Sequence, residues 1–296
     1  MKKIIYLLSF VTVFLSCTEG DKTIDFVYDN IQKGAVIRTI SSSGEYNFYD
    51  PANSIFSATI EEHDAENGGL MQNIEVYVSL NGGSEALLKT LQPGEFTTGP
   101  TGLPRTDLKV SLAESANALG LSSSDYTGGD AINIRLQLNL TDGRSFSSGD
   151  VTGSMTGSYF ASPFAYNMVI KCIPLSAVPG IYTITMSDSY GDGWQTSNLT
   201  VTVDGQKYVF AIPSEASADA DFNATLEPFT GNSSSGSGQL IIPEGASTMS
   251  FEWTNGRWAS ECGYTITYTK LDGTGEQTAF SEGSVSPGTK VLSICQ

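Results

Sequence analysis

The chain has 296 residues, 40% of them hydrophobic, and a formal net charge of −17 at pH 7. That length leaves room for two domains, each with its own core, and the hydrophobic share is too high for a disordered chain. The acidic field repels phosphate backbones, which argues against nucleic acid as a partner, whereas the same carboxylates either attract divalent cations or serve only solubility.

Lys2 and Lys3 precede an apolar run from Ile4 to Leu15, long enough for the core of a signal peptide and too short to span a bilayer. Phe14-Leu15-Ser16-Cys17 resembles a bacterial lipobox, which implies cleavage after residue 16 and acylation of Cys17. The alternative is an ordinary signal peptide with an incidental cysteine. Thr18-Glu19-Gly20-Asp21 is similar to the surface-export signal of Bacteroidota-type lipoproteins. The expected product is lipid-anchored in the outer membrane and faces outward, with residues 17–33 as a tether.

Beyond the tether the sequence reads as an all-β protein of two antiparallel β-sandwich domains. In residues 34–173, Phe56, Ala58 and Ile60 alternate with polar neighbours, as do Ile74, Val76 and Val78, and most clearly Ile132, Ile134, Leu136, Leu138 and Leu140; period two is the mark of a strand buried on one face. Thr141-Asp142-Gly143-Arg144 supplies a hairpin turn. Ser111 to Leu119 carries apolar residues at helical spacing and predicts a short helix. Glu61-Glu62-His63-Asp64 reads as a solvated strand end. His63 is the only histidine, and no nucleophile elbow accompanies it, so a hydrolytic triad is not expected and the chain reads as a non-enzyme.

Pro174 and Pro179 withhold strand hydrogen bonds and place a linker at 174–179. In residues 180–296 the alternation resumes at Tyr182, Ile184 and Met186, at Leu199, Val201 and Val203, and at Met249, Phe251 and Trp253. Gly231 to Gly238, GNSSSGSG, reads as a flexible polar loop. With Cys17 lipidated, three cysteines remain. Cys262 shares a strand face with Tyr264, Ile266 and Tyr268 and reads as buried, which leaves Cys172 and Cys295 to pair, joining the first and last strands of the second module.

Ala118 to Leu121 and Gly128 to Leu140 look like the immunoglobulin-like domain of starch-utilisation-system surface lipoproteins. Asp188-Ser189-Tyr190-Gly191-Asp192-Gly193-Trp194 resembles the D-S-Y-G-D-G-W signature of a secreted β-sandwich domain of bacterial surface proteins, of jelly-roll or CUB-like type. In that family an aromatic-rich strand followed by Glu comes later, and Trp253 to Glu261 matches it; Gln195 stands where the family has Asn. The resemblance implies a spacer followed by a distal module.

Asp188 and Asp192 lie in a glycine-freed loop where carboxylates and carbonyls converge, as calcium requires. Glu261 is the natural third ligand, with Asn198 or backbone carbonyls completing the shell. The bland alternative is that both Asp side chains only accept backbone amides in a tight turn. Tyr190, Trp194 and Trp258, on the same elements, offer flat faces on which sugar rings stack. The expectation is therefore a surface-exposed binding or accessory module that captures glycan and is stabilised by Ca2+. The alternatives are an adhesive protein contacting envelope proteins and a carboxylate-dependent hydrolase.

Overall fold

A computed structural model describes residues 33–214 and 227–296. The leader, Cys17 and most of the tether lie outside the described residues. The regular secondary structure of the described chain is almost wholly strand, and its buried side chains gather into two clusters, one from residues 35–170 and one from residues 178–294. Among the described residues no helix is long and apolar enough to cross a membrane.

The first module comprises β1 (Val36–Ser43), β2 (Tyr46–Asn47), β3 (Ile55–His63), β4 (Met71–Leu80), β5 (Ala86–Leu91), β6 (Thr97–Thr98), β7 (Pro104–Ser111), β8 (Ala131–Leu140), β9 (Ser145–Phe146) and β10 (Ala165–Lys171). One sheet has the order β1-β3-β7-β6; the other runs β2-β10-β8-β4-β5 with β9 added on β8. Pairing is antiparallel except between β2 and β10. The alternating face of β8 is buried as its pattern requires, and it meets Phe56, Ala58 and Ile60 of the opposite sheet in one core, the arrangement of a sandwich. The predicted helix forms at Leu112–Ala118, where Ser111 and Glu114 make a reciprocal capping box and Leu112 and Ala116 are buried.

The strand end at Glu61 to Asp64 departs from its solvated reading, because only His63 is exposed. Glu61 lies opposite Arg38 of β1 and Arg105 of β7. It accepts from both guanidinium groups, at 2.9 and 2.6 Å, and from the Thr101 hydroxyl at 2.6 Å. Glu62 continues the inward row of Phe56, Ala58 and Ile60 and is fully buried with neither carboxyl oxygen hydrogen-bonded. Burial, and then the neighbouring Asp64, push its pKa up to about 8. Asp64 accepts backbone amides from Glu66, Gly68 and Leu70. The arginine partners of Glu61 come from strands distant in sequence, so the local sequence gives no sign of them.

The second module comprises β11 (Gly180–Asp188), β12 (Asn198–Val203), β13 (Gln206–Phe210), β14 (Phe229–Gly231), β15 (Ser235–Ile242), β16 (Met249–Thr254), β17 (Cys262–Thr269), β18 (Gln277–Glu282) and β19 (Gly288–Lys290). Its sheets have the orders β14-β15-β11-β17-β18 and β13-β12-β16-β19. The GNSSSGSG stretch is not a loose loop: it forms the β14–β15 hairpin, with Gly236 and Gly238 opposite Met186 and Ile184. Glycine is required there by close packing. A Cβ on Gly236 would lie 2.3 Å from the Phe229 ring, and one on Gly238 would lie 2.9 Å from Phe210.

Cys172 and Cys295 form a disulfide, with 5.0 Å between Cα atoms, and Cys262 is a buried free thiol. Cys172, however, directly follows β10 of the first module rather than opening the second. The bridge therefore ties the C-terminal tail back to the module junction. Tyr49 reinforces that junction, donating to the Ile294 carbonyl at 3.0 Å and accepting from the Gln296 amide at 2.9 Å.

Candidate metal centre

Strand pairing brings the acidic residues together. β11 ends at Asp188, which lies opposite Cys262, the first residue of β17. Glu261 precedes Cys262, and its carbonyl accepts the Ser189 amide at 2.9 Å. The loop that leaves β11 turns at four positive-φ positions, Gly191, Gly193, Gln195 and Thr196. At Gly193 a Cβ would lie 2.5 Å from the Pro213 carbonyl oxygen, so both its φ of 94° and its surroundings demand glycine.

These turns swing Trp194 inward, which corrects its placement at the binding rim. Trp194 has no exposed surface. Its indole Nε1 donates to the Ser187 carbonyl at 2.9 Å, and its ring meets Trp253 edge-on at 5.0 Å. A large apolar ring with a satisfied N–H is most stable in the core. Trp194 is thus the anchor of the loop, and of the three aromatic residues only Tyr190 and Trp258, 77% and 66% exposed, present their rings to solvent.

Oxygen atoms of Asp188, Asp192 and Glu261 lie within 4.8 Å of one another, the only such three-residue grouping of His, Cys, Asp or Glu among the described residues. Asp188 is 5% exposed. Its Oδ1 accepts the Gly191 amide, as a tight-turn Asp does, but its buried Oδ2 has no hydrogen-bond partner. The turn therefore occupies one oxygen of this carboxylate and leaves the other unpartnered. Asp192 accepts from the Gln195 side-chain amide. Desolvation, and then the charges of Asp188 and Asp192, raise the Glu261 pKa.

Asn198 does not join the group. Its Nδ2 donates to the Thr196 carbonyl and its Oδ1 accepts from the Thr200 hydroxyl, so both ends of its amide are engaged elsewhere. The β14–β15 turn does approach the site, a neighbour that its flexible-loop reading had hidden: the Ser234 carbonyl accepts the Asp188 amide at 2.8 Å, and a Cβ on Gly191 would lie 2.8 Å from the Ser234 hydroxyl. The Asn255–Trp258 segment closes the other side. Gly256 donates to the Ser197 hydroxyl and Arg257 to the Gln195 carbonyl.

Tyr190, Asp192, Trp258 and Glu261 line an open cleft of about 390 Å³. A buried, unpartnered carboxylate oxygen beside two further carboxylates is costly unless a cation or proton neutralises it. An all-oxygen donor set of this kind suits a hard divalent cation. No protein-family model matches the chain, and no curated protein is significantly similar to it.

Proposed function

We propose that this chain is a non-enzymatic binding module of the cell envelope, whose working surface is the Tyr190–Trp258 cleft organised by a calcium ion on Asp188, Asp192 and Glu261. The observation that carries the reading is the unpartnered Oδ2 of Asp188, buried among like charges at an opening flanked by two exposed aromatic rings. Calcium tolerates irregular oxygen shells better than magnesium, which demands near-octahedral geometry, and this makes it the better occupant. Exposed rings beside a polar floor suit the apolar face and hydroxyl rim of a sugar, so glycan capture is the task proposed.

The remaining parts of the chain are assigned supporting roles. Acylation of Cys17 holds the protein to the outer membrane, on the outward face, and the first module acts as a spacer. The only imidazole, that of His63, is exposed on that first module, which leaves the cleft without a histidine base and supports binding over turnover.

Calorimetry and thermal melting of the mature chain in calcium chloride test the reading. Heat of binding and a raised Tm, both lost in Asp188→Asn, support it. Neither heat nor a Tm shift at millimolar calcium overturns it.

A further inference from the structure

The open side of the ion site narrows the ligand class, an inference that rests on the calcium reading above. Asp188 Oδ2 is the oxygen without a partner, whereas Asp188 Oδ1 accepts the Gly191 amide and Asp192 Oδ1 the Gln195 amide. One oxygen from each Asp and at most two from Glu261 give four side-chain ligands. Calcium takes six to eight.

Four nearby carbonyls each accept a backbone amide: Glu261 from Ser189, Ser234 from Asp188, Gln195 from Arg257, and Trp258 from Glu261. Of the three carboxylates, Asp192 and Glu261 line the cleft between Tyr190 and Trp258, so an ion held on them is approached from that side. Charge limits what can enter. Three carboxylates around a doubly charged ion leave a net −1, within a chain of net −17, so uronates, sulfates and phosphates are repelled.

We infer that the cleft binds neutral saccharides through direct coordination of two vicinal hydroxyl oxygens to the ion. Two adjacent hydroxyls supply paired oxygens from one rigid ring, displacing two waters. Their O–H groups donate to free lone pairs of Asp192 and Glu261, charge-assisted bonds that a neutral site would lack. The carbon face of the ring rests against Trp258 or Tyr190.

Terbium luminescence on the full mature chain tests this, because terbium replaces calcium at oxygen sites and its lifetimes in H2O and D2O count coordinated waters. The probes are soluble mannan, galactan and glucan, with polygalacturonate as the anionic comparison. The expected result is saccharide binding that weakens roughly tenfold or more in EDTA, loss of two terbium-bound waters when a neutral polymer binds, and no binding of polygalacturonate. A bound neutral polymer that leaves the water count unchanged, or binding that survives EDTA, overturns direct coordination while leaving the glycan reading intact. Preferential binding of polygalacturonate overturns the charge argument. If terbium and calcium do not bind at all, or no saccharide binds, the calcium-organised glycan reading itself fails and this inference fails with it.

Discussion

The two modules each gather a group of carboxylates around at least one buried member, and they differ in how these are compensated. In the first module Glu61 is held by Arg38, Arg105 and Thr101, Asp64 by three backbone amides, and Glu62 by keeping its proton. In the second, Asp188 keeps one oxygen unpartnered, beside Asp192 and Glu261, next to an open cleft. The contrast teaches that acidic residues alone do not mark a site. What distinguishes the second group is a buried, uncompensated oxygen beside carboxylates that line an open cleft.

The largest effect is expected where compensation is most complete. Glu61→Ala leaves two part-buried guanidinium groups without their counter-ion, and urea unfolding should show a loss of about 3–5 kcal/mol. A loss below about 1 kcal/mol would mean that the pair is a surface ornament and would blur the contrast between the modules.

Glu62 gives the next effect, through pH. Its folded-state pKa of about 8 stands above the ordinary carboxyl value of 4.5, so the folded protein holds this proton after the unfolded chain has released it. Its contribution is whole below about pH 4.5, declines as pH rises, and reaches its floor above about pH 8, a change of at most about 5 kcal/mol. Glu62→Gln should remove that part of the slope and make the protein more stable at pH 8 than the parent. An unchanged pH profile in the variant contradicts the assignment.

Calcium should stabilise the parent by about 2.7 kcal/mol at a hundredfold excess over Kd, and Asp188→Asn should abolish the gain. Lower pH should weaken the ion, since protons compete for the same carboxylates. Thermal melts with and without the metal at two pH values check both. The smallest effect on stability belongs to Trp258→Ala, within about 0.5 kcal/mol because the ring is exposed, and this same variant should lose saccharide binding in a pull-down on immobilised polysaccharide. Retained binding would remove Trp258 from the surface.

Much of this was legible locally. The alternation of Ile132 to Leu140 required a one-sided strand, the D-S-Y-G-D-G-W run singled out the loop that carries two of the three grouped carboxylates, and elimination of Cys262 gave the Cys172–Cys295 pair. What was hidden depends on partners far away in the chain. Trp194 sits in a glycine-rich, polar neighbourhood, and only the positive φ angles at Gly191 and Gly193 turn it inward. Gly236 and Gly238 read as part of a flexible polar loop until Phe229 and Phe210 are found against them. Glu61 looked solvated because Arg38 and Arg105 reach it from β1 and β7, pairings that no local pattern encodes.

A crystal structure of the mature protein grown in calcium chloride measures the central claim most directly. The account predicts an ion at about 2.3–2.6 Å from Asp188 Oδ2, with Asp192 and Glu261 in the same shell. Asp188 Oδ2 turned onto a backbone amide, with no ion beside it, would contradict it.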